Sequence, residues 1–157
     1  MTSRRPVSHT PPSVVSADTI VTSQLEVETV GAGFFDVTAD VAAFLREARA
    51  TEGTLTLFIR HTSASLTIQE NADPSVLDDL ATALDRLAPA GGGWTHDTEG
   101  PDDMPGHIKS MLTAVSLAIP VLEKRLALGT WQAIYLIEHR SAAHRRQIVL
   151  QFCGRTG

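Results

Sequence analysis

Trp131-Gln132-Ala133-Ile134-Tyr135-Leu136-Ile137 carries apolar side chains on both alternating faces, the pattern of a strand covered on both sides rather than one with a wet face. A central strand of this kind needs neighbours. Outward from it, Ser116 to Leu122 and Arg146 to Cys153 read as further strands, joined to it through Gly129 and through a polar turn from Arg140 to Arg145. The central strand itself runs from Thr130 to Glu138 and ends on Glu138-His139-Arg140.

Upstream, Leu25 and Val27 alternate with Glu26 and Glu28 inside Ile20 to Val30, a half-buried strand closed by Gly31-Ala32-Gly33. Phe34 to Val37 is a short strand, and Thr38 is placed to cap a helix whose stripe is Val41, Phe44, Leu45 and Ala48. Gly53 starts a strand through Arg60 with Leu55, Leu57 and Ile59 on one face, and period two carries His61 to that inner face. Ser65 to Gln69 follows as a strand. Asp73-Pro74 then gives a cap and first-turn proline to a helix whose Leu77, Leu80, Leu84 and Leu87, widened by Val76 and Ala81, predict packing on a sheet. Pro105 opens a third helix with Ile108, Met111, Leu112 and Val115 on its apolar side and His107 at the edge of that stripe. Many strands with about three helices predict an α+β single domain around a curved, largely antiparallel sheet or sandwich.

The 157 residues suit one domain large enough to bury a core without staples. Residues 1–17, with Pro6, Pro11 and Pro12 and no apolar period, are expected to form a disordered tail, leaving 18–157 as the folded domain. A net charge of -5 argues against nucleic acid as a partner. No apolar run is long enough for a bilayer, and no hydrophobic stretch follows Arg4-Arg5. The single Cys153 is read as a buried small hydrophobe in a reducing compartment, so a cytoplasmic protein is expected.

Trp94-Thr95-His96-Asp97-Thr98-Glu99-Gly100-Pro101-Asp102-Asp103-Met104-Pro105-Gly106-His107 concentrates two imidazoles and four carboxylates between turn formers. Carboxylates hold hard cations, and imidazole ligates softer ones or moves protons near neutrality. Asp102 or Asp103 equally suits the cap of the following helix. His96 beside Asp97 is the preferred acid/base pair. Trp131 is read as core, His9 as tail and His144 as turn.

Arg60-His61-Thr62-Ser63-Ala64-Ser65-Leu66-Thr67-Ile68, Glu70-Asn71-Ala72-Asp73-Pro74, the His96 to Pro105 run, His107-Ile108-Lys109-Ser110, Ser116 to Pro120, Leu126 to Gln132 and Glu138-His139-Arg140 occur in one order. In these motifs the chain resembles the YjbQ-like family of secondary thiamine-phosphate synthases. The resemblance implies a homotrimer with its site near subunit boundaries, and a transferase joining hydroxymethylpyrimidine diphosphate to thiazole phosphate with release of pyrophosphate. Within that reading His96, Asp97 and His107 are the catalytic candidates. Arg60, Asn71, Asp73, Lys109, Gly129, Thr130, Gln132 and Arg140 are the candidates for holding a small phosphorylated substrate, with a plain helix cap the favoured role of Asp73.

His61, His107 and His139 come from strand ends and a helix start, where three imidazoles could hold a divalent metal, Mg or Zn, with a position left open. Each taken alone reads as a core or hydrogen-bonding histidine. Glu99, Asp102 and Asp103 form the alternative Mg set. Two other functions stay open: a metal-dependent hydrolase of a small phosphorylated or acyl compound, and a non-catalytic trimeric module binding an anion. No P-loop, dinucleotide-binding fingerprint or Gly-x-Ser-x-Gly elbow occurs.

Overall fold

The computed structural model describes residues 8–157. The expected tail, residues 1–17, lies partly outside them; from 8 to 18 the chain has no helix or strand. The elements are β1 (Thr19–Thr29), β2 (Gly33–Asp36), α1 (Thr38–Glu47), β3 (Ala50–Ile59), β4 (Ala64–Glu70), α2 (Pro74–Leu87), α3 (Asp103–Leu112), β5 (Ser116–Leu122), β6 (Arg125–Leu126), β7 (Gln132–Glu138) and β8 (His144–Thr156). The fold is a single α+β domain of two curved antiparallel sheets. One orders its strands β1-β8-β3-β5-β6, the other β2-β7-β4.

β7 is the middle of its sheet and is buried from Ala133 to Glu138, as its double-faced apolar pattern requires. Leu55, Leu57 and Ile59 of β3 meet Ile148, Leu150 and Phe152 of β8 and Ile134 and Leu136 of β7 in one core. Val41, Phe44 and Leu45 close it from α1. β3 and β8 cross at two glycines. A Cβ built on Gly154 would lie 2.2 Å from Glu52 O, and one on Gly53 would lie 2.3 Å from Cys153 O, where φ is also +156°. Gly154→Ala should therefore cost about 1–3 kcal/mol, the range for overpacking. Denaturant unfolding checks this; an unchanged midpoint would mean the backbones can separate freely.

Several expectations need correction. Val37, not Thr38, occupies the cap position of α1; the Thr38 amide donates to Asp36 Oδ1 at 2.8 Å and its hydroxyl accepts from Ile134 N. Trp131 is 64% exposed, since β7 begins one residue later. Cys153 is exposed because it points away from the core on β8. Asp73 does cap α2, accepting from Ser75 N at 2.9 Å, but α2 buries no residue fully and leans on α3 rather than on a sheet. α3 is inverted relative to its expected stripe. Met111, Leu112 and Val115 face outward, while Asp103, Lys109 and Ser110 are buried. Among the described residues no helix is long and apolar enough to cross a membrane.

Candidate active site

The inversion of α3 follows from what its polar face meets. Gly106 lets the helix approach the end of β7 closely: an added Cβ would lie 3.3 Å from Arg140 Cδ and from Ser63 Cβ. Asp103, in the first turn, then sits with 3% of its side chain exposed. Its Oδ1 is gripped by the Arg140 guanidinium, and its Oδ2 lies 2.7 Å from His96 Nε2 and 3.4 Å from His107 Nε2. His107 is one helical turn beyond Asp103, so both project from one face. His96 arrives from the loop between α2 and α3. Its ring centre stands 5.6 Å from that of His107.

Among the described residues, His96, Asp103 and His107 are the group of ligating atoms that lie within 4.8 Å of one another. The tautomer of His107 is set by its other nitrogen: Nδ1 lies 3.1 Å from Thr62 O, and a carbonyl only accepts. Neutral His107 thus presents an Nε2 lone pair towards a carboxylate oxygen. Two acceptors facing each other call for a proton or a cation between them. The cluster lies between two clefts. One, of about 350 Å³, is lined by Trp94, His96, Asp97 and Pro101 with neighbouring glycines. The other, of about 290 Å³, is lined by His61, Thr62, His107, Ser110, Met111 and Val115.

Behind Asp103 stands a layer of buried charge. Glu138, fully buried, accepts from Arg146 Nη2 at 2.5 Å and Nε at 2.7 Å, from Thr29 Oγ1 at 2.9 Å and from the Arg140 amide at 3.0 Å. Burial alone would raise its carboxyl. The hydrogen bonds and the Arg146 charge outweigh it and hold the group below the ordinary range. Arg140 also reaches Glu99 O at 2.8 Å, and its buried Nε faces Asp102 Oδ1 at 3.3 Å without a hydrogen bond. It is an anchored residue, not a surface turn. Asp102 occupies the cap position of α3 but makes no side-chain cap bond, its carboxylate accepting instead from the Ser141 amide and hydroxyl, each at 2.7 Å.

The three imidazoles do not come within ligating distance in this chain: His107 joins His96 and Asp103 and shares a cleft with His61, whose ring bonds elsewhere, while His139 is turned into separate packing. His61 Nε2 accepts from Gln147 N at 2.9 Å, and burial, then Arg146, lowers its pKa. His139 is 4% exposed and bonded to Ser65 Oγ at 2.8 Å; burial first, and then Lys109, lowers it to about 4. A histidine held below its ordinary 6.5 contributes stability that is present above 6.5 and lost as pH falls towards 4. His139→Gln, which keeps an N–H for Ser65, should flatten that limb by on the order of 3 kcal/mol. Unfolding midpoints measured between pH 7 and 4 check it, with His61 supplying the slope that remains.

The alternative Mg set also separates, because Asp102 turns to Ser141 and Arg140 holds Glu99 by its backbone carbonyl. Asp97 is exposed and does not partner His96, whose carboxylate is Asp103. Of the substrate candidates, Arg140 borders the site, whereas Lys109 is buried, bonded to Asp85 at 2.5 Å and lines a different cleft. Arg60 is exposed and meets Gln24, the Asn71 backbone N–H donates to Trp131 O, and Asp73 is the cap of α2. Gly129 and Thr130 form an exposed turn closed by Gly129 N to Gln132 Oε1 at 2.8 Å, away from the cluster. The roles of Thr62, Ser65, Asp85 and Arg146 escaped the sequence reading. Only Glu138 and Arg146, flanking one polar turn with opposite charges, left a readable trace.

The family model described as UPF0047 protein YjbQ-like matches residues 23–155. The UPF0047 protein sll1880 of Synechocystis is 45% identical over 131 residues, covering 83% of this chain and 89% of that protein. The UPF0047 protein YjbQ of Escherichia coli O157:H7 is 44% identical over 78% of this chain and 89% of its own length. Among solved structures, the hypothetical protein APE1520 from Aeropyrum pernix superposes with a TM-score of 0.80 at 29% identity, covering 86% of this chain and 99% of that one. The conserved hypothetical protein TT1486 from Thermus thermophilus gives 0.72 at 37% identity, over 81% and 97%. By sequence and by fold, then, the chain that brings His96, Asp103 and His107 together belongs to the UPF0047 YjbQ-like family.

Proposed function

We propose that the chain is a divalent-metal-dependent enzyme acting on a small phosphorylated molecule, and that its reaction is the thiamine-phosphate synthase-like transfer of a hydroxymethylpyrimidine group with loss of pyrophosphate. The observation that carries the metal reading is the donor set: two imidazoles and one carboxylate within 4.8 Å, beside open clefts. The donors fit such an ion. His107 donates its other ring nitrogen to Thr62 O and Asp103 gives its second oxygen to Arg140, the kind of outer hydrogen bonding that fixes metal ligands. Two nitrogens and one carboxylate suit zinc or another borderline ion better than magnesium, which prefers oxygen throughout.

Held by His96, Asp103 and His107, the ion would supply positive charge for a departing pyrophosphate. The chain's own residues do the rest: Arg140 fixes the orientation of Asp103, and Thr62 that of His107. Trp94 and Asp97 line the cleft into which His96 faces. A hydrolase is the second reading, favoured by the same donor set, since two histidines and a carboxylate with a free position are the composition of known zinc hydrolases. The half-covered apolar stripe of α2 and the outward Met111 and Leu112 support assembly as a homotrimer.

The test is to purify the protein, measure its bound metal, and incubate it with both phosphorylated halves in the presence of zinc or magnesium. Thiamine phosphate formed at a rate that falls on removing the metal supports the transferase. Phosphate release without coupling supports the hydrolase. Neither product, with no metal bound or rebound, sinks both.

A further inference from the structure

A third cleft, of about 400 Å³, opens on the neighbouring face of α3, lined by Asp85, Asp102, Lys109, His139 and Ser141 with small and proline residues between them. Asp102, Pro105 and Lys109 share that face at helical spacing, turned away from Asp103 and His107. Lys109 is 9% exposed and His139 4%. Both are polar groups nine-tenths buried, and both keep hydrogen-bonding capacity unspent.

Counting protons shows which capacity. Thr113 Oγ1 lies 2.7 Å from Lys109 O and 2.6 Å from Ser65 Oγ. The carbonyl only accepts, so the single Thr113 hydroxyl proton goes to it and Ser65 supplies the proton between the two hydroxyls. Ser65 Oγ is then left to accept from His139 Nε2, 2.8 Å away. The imidazole therefore carries its proton on Nε2 and a lone pair on Nδ1. No described group donates to Nδ1, and it is not sealed off, since among the described residues the buried side-chain polar atom without a partner is Arg140 Nε. Lys109 Nζ gives one of its three protons to Asp85, which leaves two. The cations around the cleft are spent: Lys109 faces Asp85, and Arg140 is shared between Asp102 and Asp103. No cation is left over to hold a phosphate.

We propose that this cleft binds a small, neutral, planar molecule with a hydrogen-bond acceptor beside an N–H donor, a lactam or cyclic-urea edge, its carbonyl accepting a hydrogen bond from Lys109 and its N–H donating to His139 Nδ1. The site goes beyond the metal-centred reading and does not rest on it. A buried acceptor set to receive one N–H discriminates strongly against a ligand that lacks it, because the acceptor is then left unpaired.

The experiment uses the full chain freed of metal with chelator, so that its outcome is independent of the His96 cluster. Long-range ¹⁵N spectra of the histidines should find His139 neutral with its proton on Nε2. Titration with 2-pyridone should move the His139 and Lys109 signals saturably. N-methyl-2-pyridone, with the same ring and carbonyl but no N–H, should bind at least about tenfold more weakly. Lys109→Met, which keeps the buried stem and leaves only the exposed Asp85 without its partner, should weaken 2-pyridone by a similar factor. A proton on Nδ1, equal binding of the two pyridones, undiminished binding by the variant, or no saturable shift with 2-pyridone would each overturn the proposal. The comparison of the two probes on the unaltered protein stands even if the variant fails to fold.

Discussion

Glu138→Ala should be the most damaging single substitution, with a loss of about 3–5 kcal/mol, the range for removing one partner of a buried ion pair. Arg146 would remain, 5% exposed at its side chain and without its carboxylate, and Thr29 and the Arg140 amide would lose their acceptor as well. Chemical denaturation monitored by circular dichroism reads the loss directly. Glu138→Gln keeps acceptor oxygen and volume and should cost less. The pH dependence has a definite sign. Because the folded carboxyl is held below its ordinary 4.5, its contribution is complete above that value and disappears as pH falls further, through the lowered folded pKa. Glu138→Gln should remove this acid limb while leaving the histidine limb between pH 6.5 and 4 in place. An acid limb unchanged in the variant would show that other carboxylates produce it.

Asp103→Asn should have the largest effect at the site. The amide retains the shape of the carboxylate and lacks its charge, so it suits neither a cation nor Arg140. Altering even the outer hydrogen bonds of a metal site costs about 10- to 100-fold in affinity, and a direct ligand should cost at least that. Titration calorimetry with zinc should place Asp103→Asn and His107→Ala at least 100-fold weaker than the unaltered chain, by that reasoning. Asp97→Ala should scarcely differ from it, because Asp97 is exposed and has no bond to His96. Equal zinc affinity across all three variants would dismiss the donor set. A similar loss for Asp97→Ala would restore the adjacent pair expected from the sequence.

What the sequence disclosed follows from how periodicity reports burial. β7 and β3 were legible because their apolar residues are inside at every position where period two or a double-faced run puts them. α2 was legible as a helix from its leucines and its Asp73-Pro74 start, although its environment was not. α3 misled for a physical reason. Its buried face is the one carrying Asp103, Lys109 and Ser110, made possible by Arg140, Asp85 and the Ala64 carbonyl, none of which is near it in sequence. Apolar residues are allowed outside far more often than charged ones are found inside, so Met111 and Leu112 outward, like Trp131 and Cys153, break no rule. Which imidazoles converge was likewise hidden. His139 and His107 both flank the site, but the path of one loop brings His96 to Asp103, while Ser65 draws His139 to another side of α3.

β8, residues 144–156, pairs with β1 along one edge and with β3 along the other, although it is synthesised after both. A nascent chain can therefore hold β1 unpaired and β3 with one edge open, with nothing to lay between them until β8 emerges. Non-local pairings form slowly, and exposed edges in the meantime invite association with other chains. A chain cut before β8 would be left with β1 as a lone strand beside a three-stranded remnant rather than with a shortened sheet.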